Sequence, residues 1–311
     1  MRKQYALSQQ AYANRAAAVA RIPHFWPLVI EQAPPEIDQF VHPSDSAIFA
    51  NHLTSLTVTR PELEENPESG NPRSLKFRFE FRENSYFEDE VLEKIFWHRR
   101  ARDGWTGLVS EPVRIRWKGG KDLTEGLTDA AVDLWEARRK VTGGDMRAKG
   151  MNEYRVLEEK VEHWNGANTS IFTWFGFVSA RRWVGEEEDK EARARRRGAG
   201  REKDGEVEEE EEEDEDNDDQ RVEVHEAGEE IAIGLADDLW PNATRFFTQA
   251  MGQEEDLSDV DFEEGEEEDE DEDDEEGKPV DIQSLIRDES GGKGRKTSNG
   301  EEGPPSKKIK R

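Results

Sequence analysis

The stretch FEEGEEEDEDEDDEEG, residues 262–277, carries thirteen carboxylates and no base. Side chains of one type at this density do not make or break bonds. They form a polyanion whose chemistry is attraction of cationic partners. The block from 254 to 276 holds 18 Asp or Glu, and an earlier block, 206–219, holds 12, with no Lys or Arg in either. The whole chain has 74 acids against 44 bases, a net charge of −30. The two blocks therefore account for all of it, and the remaining residues balance to zero. Blocks of like charge stay hydrated and extended and act as interaction tails. Residues suited to catalysis are scattered by comparison. His24, His42, His52, His98, His163 and His225 are dispersed, with no HExxH, no glycine-rich phosphate loop and no Ser or Cys nucleophile motif. The acidic runs lack the fixed spacing of a metal site. The expectation is a binding protein, not an enzyme, without cofactor or metal.

The elements that must position these charges lie mostly before residue 185, where eight of the nine Trp fall. Segments 185–225 and 252–311 are too polar to bury a core, which leaves one folded domain of about 210 residues split by an insert. The ninth Trp, Trp240, sits in an apolar island that is expected to rejoin the core. No cysteine means no disulfide and no thiolate chemistry, which fits a reducing compartment. SIFTWFGFVSA at 170–180 is too short to span a bilayer, and the N-terminus lacks a secretory apolar region, so a soluble intracellular protein is expected.

Residues 2–21 read as a helix with Tyr5, Tyr12 and Val19 seven apart, a thin coiled-coil-like stripe. HFWPLVI reads as a short buried helix, and another is expected after Pro43, with Ser44 as N-cap. The period then changes to two. In SLKFRFEF the apolar Leu75, Phe77, Phe79 and Phe81 alternate with charges, and VRIRWK at 113–118 repeats the pattern. With LTSLTVT and VLEKIFWH these make a four-stranded antiparallel meander, apolar on one face. Helices to cover it are expected in TDAAVDLWEARRK, capped by Thr128, in the segment with Tyr154, Leu157, Val161 and Trp164 on one face, in SIFTWF, and in EEIAIGLADDLWPNATRFF.

Several strings resemble one family in order: IPHFWP, FEFRENSYFEDEVL, IRWKGGKDLT, IFTWF, DDLWPNATRFF and an acidic C-terminal tail. The chain resembles the nucleosome assembly protein family, most closely its SET-type histone chaperone branch, over residues 5–122 and 170–276. The resemblance implies an α+β "earmuff" fold, a four-stranded antiparallel sheet over helices, plus an N-terminal dimerisation helix. That helix is shortened here, because the family's helix extends far N-terminal of Tyr5. Either a truncated gene model or a weakened homodimer is expected. The implied organisation is the end of the dimerisation helix at 1–22, the earmuff domain at 23–184 with a helical insert at 123–169, a disordered basic and acidic insert at 185–222, the rest of the domain at 223–251, an acidic tail at 252–292 and a basic tail at 293–311.

Core histones are the implied partner. On the folded domain the resemblance nominates Lys121, Asp122 and Thr173 as histone-facing, with Asp237 and Asp238 of the DDLWP string as further carboxylates. The polar pair that follows TWF in SET-type members is replaced by Gly176 and Phe177. In the acidic arm, Phe262 is a candidate ring for a shallow histone pocket. Asp259, Asp261, Glu263, Glu264, Glu266, Glu267 and Glu268 flank it as partners for Lys and Arg. Ser258 lies in the context favoured by acidophilic kinases and is a candidate phosphorylation site.

Two basic clusters, Lys293, Arg295 and Lys296, then Lys307, Lys308, Lys310 and Arg311, read as a bipartite nuclear import signal. The expected location is the nucleus, with shuttling to the cytoplasm left open. The Arg-rich run 193–203 either neutralises the adjacent acidic block or touches DNA; the first is preferred because the chain's field repels phosphate, and DNA binding is expected to be weak at most. The rival reading is a regulatory subunit or inhibitor of a histone acetyltransferase or protein phosphatase.

Overall fold

The computed structural model describes residues 1–141, 150–164, 170–199 and 219–258, with backbone alone at 198–199 and 253–258. Four strands, β1 (Leu53–Thr59), β2 (Leu75–Phe81), β3 (Val91–Arg100) and β4 (Thr106–Ser110), form an antiparallel meander in the order β1-β2-β3-β4. The period-two pattern sets its faces, since Leu75, Phe77, Phe79 and Phe81 are buried while Lys76, Arg78 and Glu80 face outward. On that outer face Glu93 takes Lys76 at 3.1 Å and Arg78 at 2.9 Å, pairs that solvent screens.

The fourth strand is not VRIRWK. Asp103 accepts the Trp105 N–H at 2.8 Å and Gly104 takes φ 98°, which closes a tight turn straight after β3 and pairs 106–110 with it. Residues 113–118 run on beyond, with Ile115 buried, and touch the sheet's far turn through the isolated Phe87–Trp117 bridge. Alternation identified an inward-facing segment but not the one that hydrogen-bonds.

Helices α1 (Arg2–Val19), α2 (Phe25–Glu31), α3 (Pro35–Asp38) and α4 (Pro43–His52) precede the sheet, and α5 (Pro61–Glu65) follows β1. The α4 cap is His42, not Ser44. Its ring accepts the Ser44 N–H at 3.3 Å, and Asp45 accepts the His42 N–H at 3.0 Å, with Pro43 at the first helical position. After the sheet come α6 (Leu127–Lys140) and α7 (Asn152–His163), packed together through Leu134, Tyr154 and Leu157. Thr128 does not cap α6. It lies buried in the first turn, and left-handed Gly126, φ 78°, precedes the helix.

The inner face of the sheet is sealed by a 3₁₀ turn, Ile171–Gly176, whose rings meet those of the strands. Trp174 stacks on Phe96 at 5.1 Å and meets Phe77 edge-on at 5.2 Å, and Phe177 stacks on Phe96 at 5.7 Å. Each such pair adds about 0.5–1.5 kcal/mol beyond burial. The Trp174 indole donates to the Gly228 carbonyl at 2.9 Å. Gly228 must be glycine: a Cβ there would lie 2.2 Å from the Phe177 ring.

Part of the 185–222 insert departs from the expected disorder. Residues Glu186–Ala199 form helix α8, with acids in its first turn and arginines in its last, an order that suits the helix dipole. The pairs Glu186–Lys190 and Asp189–Arg193 sit at the helical i, i+4 spacing. Composition counts these residues as polar without registering that they pair. Residues 200–218 lie outside the described residues. The chain is then carried by α9 (Gly228–Gly234), a π-turn (Leu235–Leu239) and α10 (Ala243–Ser258), whose Phe247 stacks on Phe25 of α2 at 4.9 Å. No helix among the described residues is long and apolar enough to cross a membrane.

The stripe on α1 faces its own domain. Tyr12 meets Trp240 at 4.3 Å, Arg15 lies over the same ring at 4.5 Å and donates to the Pro241 carbonyl, and Tyr5 accepts the Arg60 N–H. Trp240 in turn donates to the Leu56 carbonyl of β1 at 3.0 Å. Removing this ring takes away the tilted contact with Tyr12, the cation–π contact and the hydrogen bond together. Trp240→Ala is expected to cost about 3 kcal/mol in urea unfolding and to open α1 to trypsin at Arg15 before the domain unfolds.

Candidate functional site

The five nominated residues of the folded domain do not form one cluster. Lys121 is exposed in the turn closed by its N–H to the Lys118 carbonyl, with its ammonium 5.8 Å from the Tyr86 ring. Tyr86 lies in the β2–β3 turn. Asp237 instead pairs with Arg60 at 3.2 Å, at the end where β1 stops. Because Leu53 pairs with Phe81 and Thr59 with Lys76, these two positions lie at opposite ends of β2, about 20 Å apart.

Their states differ as well. The Asp122 carboxylate accepts three bonds, from Thr124 N at 2.8 Å, Thr124 Oγ1 at 2.7 Å and Gly126 N at 2.7 Å, so it holds the loop that leads into α6. Thr173 does not face a partner surface. It is 1% exposed inside the 3₁₀ turn and donates to the Ser170 carbonyl at 2.8 Å, because Phe172, Trp174 and Phe175 draw that turn into the core. Asp237 and Asp238 keep about half their side-chain surface exposed, 54% and 44%, while pairing with Arg60 and Arg245. They remain available to a cation that displaces an arginine.

Asp259, Asp261, Phe262, Glu263, Glu264, Glu266, Glu267 and Glu268 lie outside the described residues, as do the basic clusters from Lys293 to Arg311. Ser258 is the last residue of α10. That helix is anchored on α2 by Phe247 and Ala250 and leads directly into the second acidic block. The attachment point, not a pocket, is what the folded domain contributes to the arm.

A buried ionic cluster behind the sheet escaped the sequence reading. Lys94, fully buried in β3, donates to the carbonyls of Glu111 at 3.1 Å, Phe175 at 3.0 Å and Phe177 at 2.9 Å. Glu223 retains some exposed surface, but its carboxylate accepts the N–H groups of Val178, Ser179 and His225 at 3.0–3.1 Å. Burial lowers Lys94 to about 7 and His225 to about 4, and raises Glu223 to about 7. A second buried carboxyl, Asp45, is raised by burial to about 6 although it accepts the Ser170 hydroxyl and the Ile171 N–H. The available signal was a lysine at an inward register position, between Leu92 and Phe96.

A folded body closed by aromatic packing leads through its last helix into a polyanionic segment, the arrangement of a binding protein. The chain belongs to the nucleosome assembly protein (NAP) family, whose model matches residues 2–250. It is 28% identical over 276 residues to a putative nucleosome assembly protein of Schizosaccharomyces pombe, covering 85% of this chain and 79% of that one. It is also 32% identical over 130 residues to Protein SET of Drosophila melanogaster, covering 39% and 42% of the two chains. Among solved structures it is similar to Vps75, at 19% identity, 80% and 88% coverage and a TM-score of 0.47.

The pH dependence of stability tests the buried cluster. With Glu223 raised from 4.5 to about 7, the folded chain keeps a proton between those values that the unfolded chain has lost. Its contribution to stability therefore falls as pH rises from 4.5 to 7, while His225, lowered from 6.5 to about 4, pushes the other way up to 6.5. Subtracting wild type from Glu223→Gln isolates the carboxyl. The variant's stability relative to wild type, read by urea unfolding, is expected to climb between pH 4.5 and 7 and to level off beyond. A difference independent of pH would show that the carboxyl titrates as it does in water.

Proposed function

We propose that this chain is a histone chaperone that binds core histones through its acidic arm and shields their charge during nucleosome assembly and disassembly. The observation that carries this reading is the placement of charge. All 30 net negative charges reside in two blocks, and the larger begins on α10, a helix packed onto the core of a NAP-family domain. A fully extended chain offers at best one carboxylate per about 3.5 Å, whereas duplex DNA presents one phosphate per about 1.7 Å. The arm is thus the weaker polyanion. It can hold free histones out of nonspecific aggregates and yield them to DNA in the correct position. Phe262, with Asp259, Asp261 and Glu263 beside it, adds orientation by docking a ring while the carboxylates pair with lysine and arginine. Phosphorylation of Ser258 would add about 1.5–2 negative charges at the root of the arm and tighten binding. The two clusters from Lys293 to Arg311 direct the chain to the nucleus.

Titration of both core-histone complexes at two salt concentrations tests the reading, with sedimentation in the same buffers to fix the mass of each species. Deleting 254–276 is expected to weaken binding at least about ten-fold at low salt and to flatten its salt dependence, because the screening length shrinks from about 30 Å at 0.01 M to about 8 Å at 0.15 M. Absence of measurable histone binding by the intact chain at physiological salt would defeat the proposal. Replacing Lys307, Lys308, Lys310 and Arg311 with Ala is expected to abolish nuclear accumulation of a fluorescent fusion, and retention of the nuclear signal would remove the import assignment.

A further inference from the structure

An arginine groove opens beside α8, on a chain whose overall charge is strongly negative. It is about 520 Å³ in volume and is lined by Arg73 before β2, His98 and Arg100 at the end of β3, and Arg193, Arg196 and Arg197 of α8. The last three share one helix face by their i, i+3, i+4 spacing. Burial and the neighbouring Arg73 and Arg193 lower His98, which keeps that ring neutral. Among the described residues no carboxylate lines the groove. Among the described residues none pairs with Arg73, Arg100, Arg196 or Arg197, and only Arg193 has a partner, Asp189 at 2.7 Å.

The way α8 is held accounts for this separation. Asp189 accepts the Arg100 N–H at 2.7 Å, Glu188 takes Arg182 at 2.7 Å and Glu191 takes Arg102 at 2.7 Å, so the acidic half of the helix is occupied by the body. The basic half is left facing the groove. The helix dipole favours arginines at this end of α8, but it gives no reason for Arg73 and Arg100 to approach the same space from the sheet. Four guanidinium groups around one groove, with no carboxylate partner among the described residues, repel each other unless an anion lies among them.

The chain itself supplies the nearest anion. Helix α8 ends at Ala199, the first acidic block begins at Glu206, and the chain is fixed again where Asp219 pairs with Arg138 at 3.0 Å. Seven residues reach at most about 25 Å, so the first carboxylates of the block can return to the groove. Anchoring at both ends holds them at an effective concentration on the order of millimolar. A polyanion in solution has to displace them.

We propose that the arginine groove of Arg73, Arg100, Arg196 and Arg197 binds the carboxylates of residues 206–218 of the same chain. The two acidic blocks then have different availability: the first is partly neutralised in cis, and the second, 254–276, is the free polyanion. This contact does not depend on which cationic partner the arm binds.

The test uses the full chain with residues 206–218 replaced by a Gly/Ser segment of equal length, and a fluorescent peptide of residues 204–218 as the probe, at low salt. The replaced chain is expected to bind the peptide saturably. The unmodified chain, its groove already filled, is expected to bind roughly ten-fold more weakly. Adding Arg196→Glu and Arg197→Glu to the replaced chain is expected to weaken peptide binding by about ten-fold. Both side chains are exposed, and α8 is held by Asp189 and Glu188, so the domain survives the change. Equal peptide affinity for the unmodified and replaced chains overturns the proposal, as does peptide binding that ignores the two reversals. If the replaced chain binds duplex DNA but not the peptide, the groove is a nucleic-acid site instead.

Discussion

One buried ammonium holds the layers of this domain together. Lys94 sits where the register of β3 demands an apolar side chain, and it reaches three carbonyls on two different crossing segments, at Glu111 and at Phe175 and Phe177. The Glu111 carbonyl also accepts the Ser110 hydroxyl and the Phe175 carbonyl the Val113 N–H, whereas the Phe177 carbonyl takes its bond from Lys94, and burying it without that donor would cost about 1–3 kcal/mol. The 3₁₀ turn that seals the aromatic core can thus lie flat against the sheet without pairing as a strand. The segment from Val222 to Gly228 is tied in the same way, through the Glu223 carboxylate and the Gly228 carbonyl. Polar contacts fix the irregular connections, and aromatic packing supplies the cohesion.

The second organising feature is the separation of charge by segment. The residues outside the two acidic blocks balance to zero, and surface acids of the folded domain are matched locally, as Glu93 is by Lys76 and Arg78, and Asp129 and Asp133 are by Arg114. Capacity is placed in the acidic segments, and the domain determines where those segments emerge. Charge is also divided within α8, where Glu188, Asp189 and Glu191 bond to the body while Arg196 and Arg197 line a groove with its arginines.

Much of the fold could be read from periodicity because the pattern and the packing coincide there. Phe77 and Phe79 alternate with charges in β2, and Tyr154 and Leu157 mark the buried face of α7. The nomination of Asp237 and Asp238 placed two exposed carboxylates. Errors arose where local pattern and partner choice diverge. VRIRWK has a strand's alternation, but the Asp103–Gly104 turn had already assigned β3 its partner. Thr173 has a polar side chain, yet its neighbours are three aromatic residues whose burial outweighs one hydroxyl. Ser44 and Thr128 are good capping types displaced by a histidine one turn-start earlier and by a left-handed glycine. Lys94 and Glu223 are 129 positions apart, and no local spacing relates a buried lysine to a carboxylate that distant.

The inward turn of the α1 stripe has a consequence for assembly. A helix has one circumference, and here Tyr5, Tyr12, Arg15 and Val19 occupy the side that touches the body. What remains outward is a track of Ala6, Gln10, Ala13 and Ala17, with Leu7 beside it at 83% exposure. Small side chains allow two backbones to approach closely but remove little apolar surface from water, at about 25 cal/mol per Å². Contact through that track alone would bury little apolar surface.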